Sequence, residues 1–148
     1  MKKPFLLTLS LFAYLLSFSQ EYDASKVNPK AVTLYNQAME RPQDGRYPHA
    51  IGLLQQCIAI DSNYLDAYLS LAGVYGQMKN YPESVRWYEK AFVKDPGYTI
   101  EIKLSYSINL AGMGEFDKAL AAINELLDKN TPKNSNSFKA AQFRKRCY

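Results

Sequence analysis

The sequence contains few of the residues on which catalytic and metal sites most often depend. Among its 148 residues there is one histidine, His49, and there are two cysteines, Cys57 and Cys147. A metal site needs three or four ligands, usually at short paired spacings. No further cysteine or histidine lies near His49 and Cys57, so we predict no metal site and no cofactor, and we expect His49 at the surface.

Sequence motifs for catalysis are also missing. No serine stands in a nucleophile-elbow setting, and no glycine run has the spacing of a phosphate-binding loop. Gly73 and Gly76 fall inside a predicted helix, whereas Gly112 and Gly114 end one. These glycines are expected to permit close helix contact or to end helices. We therefore expect no enzymatic activity, no catalytic residue and no small-molecule substrate.

Glycine and proline are scarce, and neither sign of charge dominates. With seven of each and a hydrophobic share of 47%, the chain is expected to bury a core and not to be disordered. The net charge of +4 includes Lys2 and Lys3, and the remainder is close to balanced. A dedicated nucleic-acid binder would carry a concentrated basic face, so no nucleic-acid partner is predicted.

The longest apolar run, Phe5–Leu16, is too short to cross a bilayer, which takes about 20 residues. Two lysines and a proline precede it, and Ser17 and Ser19 follow, as in a secretory signal peptide. We predict a signal peptide over residues 1–19, cleaved after Ser19. The mature protein is then exported, to a bacterial periplasm or the outer membrane, and meets the membrane only through this transient segment. The alternative is an uncleaved anchor.

Export makes the two cysteines candidates for a disulfide. Cys57 and Cys147 lie in units of the chain that are not expected to touch, whereas a bridge requires Cα atoms within about 7 Å. We predict no intramolecular disulfide and interpret both residues as small buried thiols.

Three stretches of the sequence are similar: GRYPHAI, KNYPESV and GEFDKAL. They begin at Gly45, Lys79 and Gly114, which are 34 and 35 residues apart. A fixed period in this range indicates an array of helix pairs. Successive pairs must stack, because two antiparallel helices alone would leave an apolar face in water.

The same residue types recur at fixed places within each unit. A small residue lets the two helices of a pair approach closely, and an aromatic residue fills the space at the turn between them. The small residues are Ala50, Ser84 and Ala119, the aromatic residues are Tyr47, Tyr81 and Phe116, and further packing positions are Leu54 and Ile123.

The second unit resembles the tetratricopeptide repeat. Its residues fall at the spacing of that family's W-x2-L-G-x2-Y, A-x3-F-x2-A and P positions; they are Tyr68, Leu71, Ala72, Tyr75, Ser84, Tyr88, Ala91 and Pro96. The third unit departs from the first-helix pattern at Lys103, Tyr106 and Leu110. The first unit departs at Gln37 and Arg41, and Pro42 is expected to end its first helix early.

The resemblance implies an all-α fold: a right-handed α-solenoid of about three helix pairs plus a C-terminal helix, preceded by the signal peptide. We predict a flexible leader over residues 20–28, repeats over 29–63, 64–98 and 99–133, and the first helix of a fourth, incomplete unit over 134–148. This last segment carries a basic run from Arg144 to Arg146, which we interpret as a solvated helix face.

The family resemblance also implies a concave surface lined by the first helix of each pair, on which a peptide could bind. The residues expected there are Tyr35, Met39, Leu69, Gly73, Leu104 and Ile108. The alternative is that these side chains pack against neighbouring helices.

The function predicted is a non-catalytic scaffold that binds a protein or peptide partner in the cell envelope. The exported leader, the repeats and the closing FRKRCY stretch resemble the N-terminal region of bacterial envelope proteins in which a β-propeller and an OmpA-like peptidoglycan-binding domain follow. The alternative is an accessory module of an envelope enzyme whose catalytic domain is absent from this chain.

Overall fold

The computed structural model describes residues 22–40 and 47–130, which form six α-helices and no strand. The helices are α1 (Pro29–Met39), α2 (Tyr47–Ile60), α3 (Leu65–Gln77), α4 (Tyr81–Lys94), α5 (Lys103–Gly112) and α6 (Phe116–Asn130). Two 3-10 turns, Ala24–Lys26 and Ile100–Ile102, precede α1 and α5. The predicted signal peptide, the predicted fourth-unit helix and Cys147 lie outside the described residues. The expectation of an all-α fold built from helix pairs is confirmed.

Capping side chains and prolines account for where α1 and α4 begin and where α4 ends. The side chain of Asn28 accepts a hydrogen bond from the backbone of Lys30 at the start of α1, and Asn80 caps α4 in the same way. Pro82 lies in the first turn of α4, where its missing N–H costs nothing. That helix ends at Lys94, just before Asp95 and Pro96, because a proline disfavours helical geometry in the residue before it.

The turns inside the second and third pairs each use one residue of left-handed backbone. These residues are Lys79, with φ 59°, and Gly114, with φ 82°. Beyond each, a backbone N–H returns to the first helix at 2.9 Å, from Asn80 to Tyr75 and from Glu115 to Leu110. The shared turn geometry brings the second helix back antiparallel to the first.

Small residues allow the two helices of each pair to approach. Ala50, Ser84 and Ala119 are buried as predicted, and the Ser84 hydroxyl donates to the Ala72 carbonyl of the facing helix at 2.8 Å. Of the other predicted packing residues, Leu54, Tyr68, Leu71, Ala72, Tyr88 and Ala91 are buried, and Tyr47, Tyr75, Tyr81 and Ile123 are half-buried. Two expectations of packing are wrong: Pro96 is exposed beyond the end of α4, and Phe116 is exposed because no described helix lies over it.

The departures of the third unit from the repeat pattern have a structural explanation. The Lys103 ammonium lies over the Phe92 ring at 4.2 Å and pairs with Glu125 at 3.0 Å. Tyr106 meets the same ring edge-on, at a centroid distance of 4.9 Å. A cation between an aromatic face and a carboxylate therefore occupies the place where the family pattern has an aromatic residue.

The predicted flexible leader is corrected by the structure for its described part, residues 22–28, which we call the strap. The backbone N–H of Tyr22 donates to Asp95, and that of Asn28 donates to Asp61, each at 2.9 Å. Val27 is buried in the core of the first pair. These long-range contacts were not visible in the local sequence, because the strap itself is polar and has no helical periodicity.

Cys57 is a small buried thiol, as predicted. Its Sγ donates to the carbonyl of Ala31 at 3.3 Å, and burial raises its pKa. A thiol held in this state is a poor nucleophile. His49 is exposed, as expected.

Candidate partner-binding surface

The first helices of the three pairs lie side by side. The Tyr35 hydroxyl of α1 is 3.0 Å from the Ser70 hydroxyl of α3. A Cβ built on Gly76 of α3 would lie 2.8 Å from the side chain of Asn109 in α5, so that contact requires glycine. We call the surface formed by α1, α3 and α5 the first-helix surface.

The six residues expected on this surface do not share one environment. Tyr35, Met39 and Leu69 are partly buried and pack on the apolar clusters beneath them. Leu104 and Ile108 are 52% and 61% exposed. Three of the six residues therefore contribute to the packing of the core, and the two most exposed side chains lie on α5.

Gly73 differs from the neighbouring glycines. A Cβ built there would meet no atom within 4 Å, so the expectation that it permits close helix contact is wrong for this residue, although it holds for Gly76. A Cβ on Gly112 would lie 2.7 Å from the Tyr81 ring, which confirms close contact there. The space above Gly73 is open, and we call this open position on α3 the Gly73 notch.

Large apolar residues occupy the corresponding position in the helices on both sides of this notch. Met39 precedes Gly73 by 34 residues, and Ile108 follows it by 35, which is one repeat in each direction. Equivalent positions of stacked repeats lie next to each other. By this equivalence, Met39 of α1 and Ile108 of α5 hold the positions that correspond to Gly73 in the two neighbouring first helices.

A polar cluster lies at the beginning of α3, on the same helical stripe as Leu69 and Gly73. The Asp66 carboxylate accepts hydrogen bonds from the hydroxyls of Tyr22 at 2.9 Å and Tyr98 at 2.7 Å. The two tyrosine rings meet edge-on, with centroids 4.8 Å apart. Burial and the hydrogen bond to Asp66 raise the pKa of both phenols, that of Tyr98 to about 12, so both remain donors near neutral pH.

Sequence reasoning missed this cluster. Tyr22 comes from the strap, Tyr98 from the turn after α4, and Asp66 from α3. Asp61 and Asp95 lie one repeat of 34 residues apart, but this spacing does not reveal their role as acceptors for the strap.

The chemistry offered by the surface is apolar contact and hydrogen bonding. Within the described ranges, no group of three or more His, Cys, Asp and Glu side chains is arranged to hold a metal ion. None of the helices in those ranges combines the length and the apolar character needed to cross a bilayer.

Comparison with known proteins agrees with this geometry. Residues 65–93, which span α3 and nearly all of α4, match the model of the tetratricopeptide repeat family. The fold is that of a tetratricopeptide-repeat solenoid. No curated protein sequence matches the chain.

Solved structures similar to this chain include those of two proteins, MamA and SycD. The crystal structure of MamA is 29% identical over 70% of this chain, with a TM-score of 0.64; the chain covers 56% of the MamA chain, less than two thirds of its length. The type III secretion translocator chaperone SycD of Yersinia enterocolitica is 21% identical, with a TM-score of 0.63, and the match covers 84% of this chain and 89% of SycD. A further SycD structure, in complex with a peptide of the translocator YopD, is 20% identical, covers 84% of this chain and 90% of that one, and has a TM-score of 0.62.

Proposed function

We propose that this protein is a non-catalytic scaffold that binds a protein partner on its first-helix surface, with an apolar side chain of the partner seated in the Gly73 notch. The observation that carries the proposal is the open space over Gly73, with Met39 and the 61% exposed Ile108 at the equivalent positions of α1 and α5. Seating one apolar side chain in a notch of this kind supplies a large share of the affinity of a peptide complex.

The surroundings of the notch support an extended segment as the ligand. Leu104 and Ile108 offer apolar contact on one side, and the Asp66 carboxylate offers hydrogen-bond acceptors one to two helical turns away along α3. A partner that spans this distance would place an apolar residue in the notch and a donor near Asp66. SycD, which has the same fold, has been solved with a peptide bound.

The test fills the notch without disturbing the fold. Gly73→Leu should leave the melting temperature unchanged or raise it, because the site is open and leucine favours a helix interior by roughly 1 kcal/mol over glycine. Gly52→Leu is the matched control, since Gly52 also lies inside a helix with no atom within 4 Å of a built Cβ.

The binding measurement is a selection from a peptide library displayed on phage, with the wild-type chain as bait. We expect the selected peptides to share an apolar anchor, to bind the Gly52→Leu variant with unchanged affinity, and to lose roughly tenfold or more in affinity for Gly73→Leu. Peptides that bind both variants equally would refute the notch as the site.

We propose further that the scaffold acts in the cell envelope after export. The support is the charged, apolar and small-residue order of residues 1–19. Intact-mass measurement on the protein recovered from the producing cell tests this, because removal of residues 1–19 lowers the molecular mass by a known amount. A mass that retains Met1 would contradict cleavage.

The resemblance of the closing stretch to larger envelope proteins supports a finer proposal, namely that this chain is the N-terminal part of a peptidoglycan-associated protein. Sequencing the gene beyond Tyr148 tests it. A stop codon directly after that residue would contradict the proposal, and so would a following domain of another kind.

A further inference from the structure

The Asp66 carboxylate retains hydrogen-bonding capacity that the fold does not use. One of its oxygens accepts from the Tyr22 hydroxyl at 2.9 Å and the other from the Tyr98 hydroxyl at 2.7 Å. An ionised carboxylate offers about four lone-pair positions, so each oxygen keeps room for a further donor. Asp66 is half-buried and Tyr98 is 46% exposed, so a ligand can reach this group from solvent.

Tyr35 brings a third aromatic ring to this carboxylate. Its hydroxyl is 3.0 Å from that of Ser70, one helical turn beyond Asp66 on α3, and its ring packs against Tyr64 with centroids 5.1 Å apart. After burial and Asp66, the nearby Tyr35 also contributes to the raised pKa of Tyr98. Aromatic faces carry partial negative charge, so rings and carboxylate together create a negative potential. We define the tyrosine–carboxylate site as Asp66, Tyr22, Tyr35 and Tyr98.

The charge of this site is not balanced by a neighbouring cation. Within residues 22–40 and 47–130, no lysine or arginine forms an ion pair with Asp66. A second carboxylate, that of Asp95, accepts the backbone N–H groups of Tyr98 and Tyr22, each at 2.9 Å. These two hydrogen bonds, with the charge of Lys129 a smaller influence, hold the pKa of Asp95 below its usual range. Both carboxylates therefore favour a cationic ligand.

The third helix pair shows the same components with a cation in place. The Lys103 ammonium lies over the Phe92 ring at 4.2 Å and 5.7 Å from the centroid of Tyr106, and it pairs with Glu125 at 3.0 Å. A lysine of the chain itself thus fills the space between aromatic rings and a carboxylate. The tyrosine–carboxylate site has the rings and the carboxylate, but none of the described residues supplies it with a lysine.

We propose that the tyrosine–carboxylate site binds a lysine or arginine side chain of the protein partner. This inference rests on the proposed function, in which the first-helix surface binds that partner, and it adds the partner's chemistry. Asp66 and Gly73 are seven residues apart on α3, which is about 10 Å along the helix. An extended peptide spans that distance in about three residues. The partner segment therefore carries a basic residue about three positions from its apolar anchor.

The direct test is a titration of the purified protein with Nα-acetyl-lysine amide and Nα-acetyl-arginine amide, followed through the NMR signals of the tyrosine rings. Each probe carries one positive charge, on its side chain, and Nα-acetyl-norleucine amide is the uncharged control. We expect saturable shifts of the Tyr22 and Tyr98 signals with at least one cationic probe and none with the control. A response to all three probes, or to none, would overturn the proposal.

A charge-neutralising variant identifies the carboxylate that binds the probe. Asp66→Asn keeps nearly the same shape and should weaken the binding of the cationic probe roughly tenfold, because hydrogen bonds to an ionised acceptor are the stronger ones. The matched control is Asp117→Asn, which removes another carboxylate in the first turn of a helix, α6, and should leave binding unchanged. Equal weakening in both variants would indicate a general charge effect and contradict the site.

Two variants of Tyr98 separate binding of the cation from a purely structural role, and they leave Asp66 in place. Tyr98→Phe keeps the ring and frees one Asp66 oxygen, so the probe should bind at least as tightly as to the wild type. Tyr98→Leu removes the ring and should weaken binding roughly threefold. Circular dichroism checks that both variants are folded. Equal weakening in the two would refute the contribution of the ring.

Peptides selected with the wild-type chain distinguish failure of this inference from failure of the proposed function. A shared basic residue about three positions from the anchor, with roughly tenfold weaker binding to Asp66→Asn, would support the cation site. Peptides that are weakened by Gly73→Leu but bind Asp66→Asn normally would overturn the cation site and leave the notch in place. Peptides weakened only by Asp66→Asn would support the cation site and refute the notch.

Discussion

The seam between the first and second helix pairs and the seam between the second and third occupy the same repeat positions but are closed by different chemistry. At the first seam, the strap adds a backbone hydrogen bond to Asp61 and a tyrosine to Asp66, and its Tyr22 N–H reaches Asp95 beyond the end of α4. At the second, Lys103 and Tyr106 enclose the ring of Phe92. The repeat therefore fixes where neighbouring pairs meet and leaves open which side chains join them.

The two seams also differ in the size of the buried cluster. Ten buried residues form the cluster that runs through the first pair and into the second. The cluster at the second seam contains three, Val85, Leu110 and Ala119. The third pair is thus held to the second by fewer buried apolar side chains than hold the second pair to the first.

The largest expected effect comes from breaking the second seam at its centre. Val85→Asp places a carboxylate among Leu110 and Ala119 and should lower the free energy of unfolding by about 3 kcal/mol or more. Val93→Asp, on the exposed side of the same helix, should change it by less than about 0.5 kcal/mol. Urea unfolding followed by circular dichroism measures both, and equal losses would contradict the assignment of the seam.

A smaller effect is expected from loosening the strap at the first seam. Tyr22→Ala removes the ring contact with Tyr98 and the hydrogen bond to Asp66, and should cost about 2 kcal/mol. Tyr22→Phe keeps the ring and should cost about 1 kcal/mol or less. Hydrogen exchange of residues 22–28 should accelerate in the alanine variant, and unchanged exchange there would show that the strap is held without Tyr22.

The smallest effect compares the two left-handed residues, Lys79 in the turn inside the second pair and Gly114 in the turn inside the third. Gly114→Ala should cost about 1 kcal/mol, because a Cβ disfavours left-handed backbone, whereas Lys79→Gly should gain up to about 1 kcal/mol by relieving the same conformation. Thermal melting of both variants measures these changes in stability. A loss of stability in Lys79→Gly would mean that the lysine side chain contributes more than its backbone conformation costs.

Much of the fold could be predicted from residue spacing. The period follows from the recurrence of Gly45, Lys79 and Gly114, and Pro82 and Pro96 lie at the beginning of α4 and just beyond its end. These features are local: a proline constrains its own φ and its predecessor, and apolar spacing sets which side of a helix is buried. The described helix pairs lie where these features placed them.

The candidate site could be predicted only in part. The six first-helix residues occupy equivalent repeat positions, but spacing could not separate Tyr35 and Leu69, which pack, from Leu104 and Ile108, which are open. It also assigned Gly73 and Gly76 the same role, although only Gly76 has a neighbour within contact distance. Contact with another helix depends on what lies across the interface, and a period carries no information about that.

The sequence by itself determined the helix pairs, their period and the small residues that bring the two helices of a pair together, since these follow from interactions within a few turns of chain. Tertiary structure alone decided that the strap lies on Asp61, Asp95 and Asp66, that the space above Gly73 is open, and that Phe116, Leu120 and Leu127 of α6 are exposed. Each of these depends on residues far apart in sequence meeting in space, and their positions are fixed only once the pairs have stacked.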